Sequence, residues 1–120
     1  MVNEQLNGIV YTLKNNFTIS TINGNSKIEI KDISKDNDMI AIKSFITNGY
    51  NNLKLPSSFD SKFKLELVLG IRTVMSTYPQ NIHCKSSLWR ITKGYYGDNE
   101  KSMNSVIMLT VSGSVQLNYV

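Results

Sequence analysis

At 120 residues and 13.6 kDa the chain has the size of one domain, large enough to bury a core without disulfide or metal staples, and a two-domain organisation is excluded. Hydrophobic residues supply 41% and charged residues 18%, too apolar for a disordered tail, yet no apolar run approaches a membrane span; a soluble domain without membrane contact is expected. The formal charge of +4 is uneven: residues 61–93 hold Lys62, Lys64, Arg72, Lys85, Arg90 and Lys93 against Glu66 alone, a surplus suited to an acidic partner, to a nucleic acid, or to an outward, aggregation-resistant strand face.

A single alanine, Ala41, stands against 29 Ile, Val and Thr residues, a balance that penalises helix and favours a pleated, half-buried surface. In chain order, Val2, Leu6, Ile9, Val10 and Leu13 fall at helical spacing, with Asn3 as a cap and Asn15-Asn16 as a stop, which predicts a short amphipathic helix over 2–14. The stretch 17–32 predicts a hairpin about a type I′ turn at Asn23-Gly24, pairing Phe17 with Ile30 and Ile19 with Ile28. Residues 38–47 fit either period, and strand is favoured because Ile40, Ile42 and Ile46 alternate; 48–61, punctuated by Gly49, Asn51-Asn52 and Pro56, predicts a long loop. Phe63, Leu65, Leu67, Leu69 and Ile71 share one phase, so a strand runs at least to Leu69, and Pro79 ends whatever follows.

Residues 87–93 predict another strand, followed by a polar loop to Ser102. In the last stretch Ile107, Leu109, Val111, Gly113, Val115, Leu117 and Tyr119 occupy a single phase. A straight strand of that length would reach roughly 46 Å, so either an over-long strand or a hairpin about Gly113 is expected. The uncharged opposite phase leaves Val115, Leu117 and Tyr119 as an assembly interface that would pair with another chain. No internal repeat stands out. The fold expected is α+β, an N-terminal helix packed on a mainly antiparallel sheet of five to seven strands, with an all-β sandwich as the alternative when the first segment is extended.

Chemistry is sparse. His83 and Cys84 are each single and adjacent, so on an extended segment they face opposite sides and form neither a nucleophile pair nor a closed zinc site. Both are read as structural, Cys84 as a small buried apolar group. Asp32, Asp36 and Asp38 lack the glycine and closing glutamate of a calcium loop, and no glycine-rich phosphate loop or nucleophile elbow occurs. No enzyme, metal or cofactor is therefore expected. The best binding signal runs from Lys85 to Tyr96, where Lys85, Arg90 and Lys93 interleave with Trp89, Tyr95 and Tyr96, as single-stranded nucleic acid or a protein partner would require. The plainer alternative puts Trp89 and Ile91, which share a phase, in the core.

One cysteine excludes an internal disulfide and MVNEQLNGIV has no signal-peptide pattern, so a location in a host cytoplasm or in a virion is expected. Eleven lysines against two arginines, with 14 Asn and 14 Ser, match AT-rich coding sequence of the kind found in many bacteria, phages and plasmids. The function expected is a non-enzymatic assembly or partner-binding protein, specifically a small phage or mobile-element structural component (coat, tail or assembly protein) that associates with itself. The alternatives are a small inhibitor or immunity protein blocking a host or rival enzyme, and a basic single-stranded nucleic-acid-binding protein.

Overall fold

The computed structural model describes residues 4–34, 39–98 and 100–120. They form β1 (Glu4–Val10), β2 (Phe17–Ile30), β3 (Ala41–Leu55), β4 (Ser61–Ser76), a 3₁₀ turn at Pro79–Asn81, β5 (Ile82–Ser87), β6 (Ile91–Tyr96) and β7 (Ser105–Tyr119). The strand order is β1-β2-β3-β7-β4-β6-β5. The pairs β1–β2, β2–β3, β3–β7 and β7–β4 are parallel, whereas β4–β6 and β6–β5 are antiparallel.

Four of these strands are too long to be straight. Fifteen extended residues would span about 50 Å, but the longest dimension of the molecule is 36 Å. Each long strand bends, and the bend falls on a glycine. Gly49 pairs with Gly113 and Gly113 with Gly70, and the β2–β3 register puts Gly24 beside Gly49. All four have positive φ, between 136° and 143°, a region that side chains oppose. Space is the second constraint: a Cβ on Gly113 would lie 1.9 Å from the Gly49 carbonyl oxygen, and one on Gly49 1.7 Å from that of Gly24. The glycines thus form a ladder along which one continuous sheet folds back on itself into two layers.

The bend also exchanges faces. In β3, Ile42, Ser44 and Ile46 point inward before Gly49, and Asn51, Leu53 and Leu55 after it; in β7 the inward sets are Val106, Met108 and Thr110, then Val115, Leu117 and Tyr119. Side chains from the two halves of one strand therefore meet across the interior. Ser44 Oγ donates to Asn51 Oδ1 at 2.6 Å, and Asn51 Nδ2 donates to the Ser44 carbonyl at 2.9 Å. The return path through the opposite layer replaces the helix that usually links parallel strands. At the end remote from the glycines the chain crosses back between layers, where Leu13, Ile33, Ile40 and Phe59 close the core.

The α+β expectation is overturned: the described residues contain no α-helix, the sheet is mixed rather than mainly antiparallel, and the all-β alternative fits. Residues 4–10 form a strand because β2 offers a parallel edge against which Leu6, Gly8 and Val10 turn inward; Val2 and Asn3 lie outside the described residues. The hairpin at 17–32 is instead one bent strand, hydrogen-bonded to β1 and β3 and not to itself. Residues 41–47 are strand as expected, but so are 48–55, where a loop was expected. The single apolar phase of 107–119 is divided by Gly113, which leaves Ile107, Leu109 and Val111 facing outward. The arches stack in space, with Asn48 Nδ2 of Asn48-Gly49 donating to Asn23 Oδ1 of Asn23-Gly24 at 2.8 Å, but the ladder glycines Gly24, Gly49, Gly70 and Gly113 fall at unequal intervals, so no repeat shows in the sequence.

Candidate functional site

Two surfaces concentrate unusual side chains. The first is the glycine end of the sandwich. Ile22, Tyr50, Leu69, Ile71 and Val111 all lie within two residues of the glycine ladder and are exposed; Leu69 is 65% and Ile71 70% accessible. The hydrophobic ridge they form arises because face exchange at the bend turns one or two residues outward on each arch. The β5–β6 turn extends it with Leu88 and Trp89, the latter 76% exposed. That turn is held in place by backbone and side chain together: Leu67 N–H donates to the Arg90 carbonyl at 2.9 Å, and Arg72 Nη2 donates to the Leu88 carbonyl at 2.7 Å. The Arg90 guanidinium lies over the Trp89 ring, 4.3 Å from its centroid. Within two residues of the four glycines the sole charged side chain is Arg72.

The second surface is the outer face of the layer built from the first halves of β2, β3, β7 and β4 together with β6 and β5. Register places Thr18, Lys43, Ile107, Lys64 and Lys93 on one rung across five adjacent strands. Along the strands on one side lies Lys62 with Tyr95 and His83, and on the other Phe45, Leu109, Glu66 and Ile91. The Tyr95 and His83 rings stack with centroids 4.4 Å apart. Lys85 Nζ sits 5.7 Å from the Tyr95 centroid and 2.6 Å from Glu100 Oε1, and the Glu100 carboxylate raises the Lys85 pKa by hydrogen bonding and charge. A shallow depression here is lined by Lys62, Lys85, Lys93, Tyr95, Glu100 and Lys101.

The expected stretch from Lys85 to Tyr96 is therefore divided three ways. Lys85, Lys93 and Tyr95 share the outer face, joined by Lys62 and Lys64. Trp89 and Arg90 sit at the turn on the glycine end; Trp89 is not in the core, and Ile91 faces outward. Tyr96 is fully buried and cannot meet a ligand: its ring stacks on Tyr119 at 3.9 Å and its hydroxyl accepts from Ser76 Oγ at 3.1 Å. Lys43, which completes the lysine rung, lies outside the 61–93 basic block, and only the fold reveals it.

Val115, Leu117 and Tyr119, expected at an edge facing another chain, are fully buried in β7, between β3 and β4. The length of β7 is used by its bend and its two parallel neighbours. Burial raises the Tyr119 phenol well above its ordinary range, and Ser61 Oγ shares a 2.8 Å hydrogen bond with it.

Among the described residues no three His, Cys, Asp or Glu side chains gather in a way that could hold a metal ion. His83 is occupied by Tyr95, and Cys84 is exposed on β5 rather than buried. Asp32 is exposed, while Asp36 and Asp38 lie outside the described residues. Comparison of the chain with protein-family models, curated proteins and solved structures finds no match.

Proposed function

We propose that this chain is a non-enzymatic assembly protein that associates with further copies of itself through its glycine end. One observation carries the reading: the ridge formed by Tyr50, Leu69, Ile71, Val111, Leu88 and Trp89 is apolar, exposed and almost free of charge on a chain that carries 22 charged residues elsewhere or nearby (13 basic plus 9 acidic). Charge-depleted patches with Trp, Tyr and Arg are the usual make-up of interface centres, and large exposed apolar patches mark association surfaces. The AT-rich residue usage supports a phage or mobile-element structural component, working in a host cytoplasm or a virion.

Light scattering after size-exclusion chromatography tests this. The native chain should run as an oligomer whose population rises with concentration, and Leu69→Lys with Ile71→Lys should return it to monomer. Both side chains are exposed, so the double variant should keep the native far-ultraviolet circular dichroism and melting temperature. A native chain that stays monomeric at its highest soluble concentration overturns the proposal, as does a double variant that keeps the native oligomeric state.

A further inference from the structure

The outer lysine face is remote in character from the glycine end, and its chemistry points to a different ligand. We infer that this face binds single-stranded nucleic acid, with the strand laid across the β-strands along the Lys43–Lys64–Lys93 rung.

Three features support this ligand. Charge comes first: Lys43, Lys62, Lys64, Lys85 and Lys93 emerge from this face or its edge against Glu66 and Glu100, whereas the outer face of the other layer carries Lys27, Lys54 and, at its edge, Lys31, the last ion-paired to Glu29, among Asn7, Asn52, Gln116 and Asn118. Spacing follows from the sheet itself. Lys64 and Lys93 are directly paired, so their Cα atoms are about 5 Å apart, and Lys43 stands two strands away at about 10 Å, a row of cations able to follow a phosphate backbone. Stacking surface is the third feature. Half-buried Phe45, Leu109 and Ile91 lie two residues along the strands from the lysine rung, with Tyr95 and His83 on its other side. Bases can therefore rest on apolar and aromatic groups while phosphates meet ammonium groups.

A duplex is disfavoured because its base planes are hidden and no described helix or projecting ribbon could enter a groove. A lipid surface is disfavoured because the apolar groups here are flush with the sheet, while the projecting Trp89 and Leu88 belong to the glycine end. The Lys85–Glu100 pair acts as a local brake, since Glu100 occupies one ammonium and presents a carboxylate to incoming phosphate.

Fluorescence anisotropy with labelled oligothymidylate, across a salt series, tests the inference. Binding should weaken steeply with salt, with a log–log slope reduced by about 0.7 for each lysine removed in Lys64→Ala and Lys93→Ala. Tyr95→Ala should lower affinity without changing the slope, and Glu100→Gln should raise affinity several-fold. Lys27→Ala with Lys54→Ala on the other face should leave binding unchanged. Thermal melts of each variant establish that folding is intact. Absence of salt-dependent binding to oligothymidylate, equal loss from the Lys27/Lys54 variant, or stronger binding to duplex DNA or to phosphatidylserine vesicles would each overturn the inference. Leu69→Lys with Ile71→Lys should leave the salt slope unchanged, so this result and the self-association result are read separately.

Discussion

Replacing Gly113 with alanine should be among the most damaging single changes in this protein. The glycine sits at φ 138°, where a side chain costs about 1–3 kcal/mol in backbone strain. The added Cβ would also lie 1.9 Å from the Gly49 carbonyl oxygen and 2.7 Å from its carbon, both backbone atoms. Relief requires the β3 and β7 bends to separate, which weakens one or two ladder hydrogen bonds at about 1 kcal/mol each. The expected loss is about 2–5 kcal/mol out of a total of the order of 5–15. For a chain of this size that corresponds to a fall in melting temperature of about 8–20 °C. Urea denaturation followed by circular dichroism gives the measurement, with Gly8→Ala as the control. At Gly8 the nearest atom is the Ile28 Cδ1 methyl at 3.3 Å, a flexible side-chain end, so that variant should stay within about 0.5 kcal/mol of native. If Gly113→Ala is no worse than Gly8→Ala, the glycine ladder does not hold the bend between the two layers.

Asn51→Ala should cost about 2–3 kcal/mol in the same assay, because Ser44 Oγ would lose its buried partner between the layers; a loss below about 0.5 kcal/mol would show that the pair contributes little. Leu65→Ala, at a fully buried position in β4, should cost about 2–5 kcal/mol, and a smaller loss would mean that the core collapses readily around the cavity. The raised Tyr119 pKa makes stability depend on alkaline pH. The contribution is fully present below the unfolded value of roughly 10 and declines as pH rises towards the folded value, because only the unfolded phenol ionises in that window. Tyr119→Phe should lower stability at neutral pH by about 1 kcal/mol through loss of the Ser61 bond, and should flatten the alkaline decline; an unchanged alkaline slope would assign it to other groups.

The dominance of strand is legible in the sequence, and so are three of the four bends, as Asn23-Gly24, Asn48-Gly49 and Ser112-Gly113, whereas Gly70 stands inside an apolar run with no turn signal beside it. What those dipeptides do is not legible. A hairpin and an arch both bring Ile19 and Ile28 to the same side, and they differ in whether hydrogen bonds run within the segment or to other strands. That choice depends on neighbours as distant as β7, which no local pattern encodes. Helical spacing at 2–14 misleads for a related reason: Leu6 and Val10 satisfy both periods, and only the parallel edge of β2 decides between them. Charge counting finds Lys85 and Lys93, because basic residues near each other in sequence stay near each other on a hairpin. It misses Lys43, brought to Lys64 across β7, and it includes Tyr96, whose neighbour Tyr95 takes the outward side.

The position of β7 has a consequence for how the chain reaches its native state. Strands β3 and β4 follow one another in sequence, yet they are not neighbours; the space between them is filled by residues made later than either. During synthesis the ribosome releases both apolar faces before the strand that joins them exists, and nearly every lasting contact of β7 spans a long loop. Such non-local pairing makes for slow folding and a long exposure to wrong partners. Nascent chains halted before Ser105 should therefore be held by chaperones or aggregate, and the protein should acquire protease resistance in a single late step instead of arch by arch.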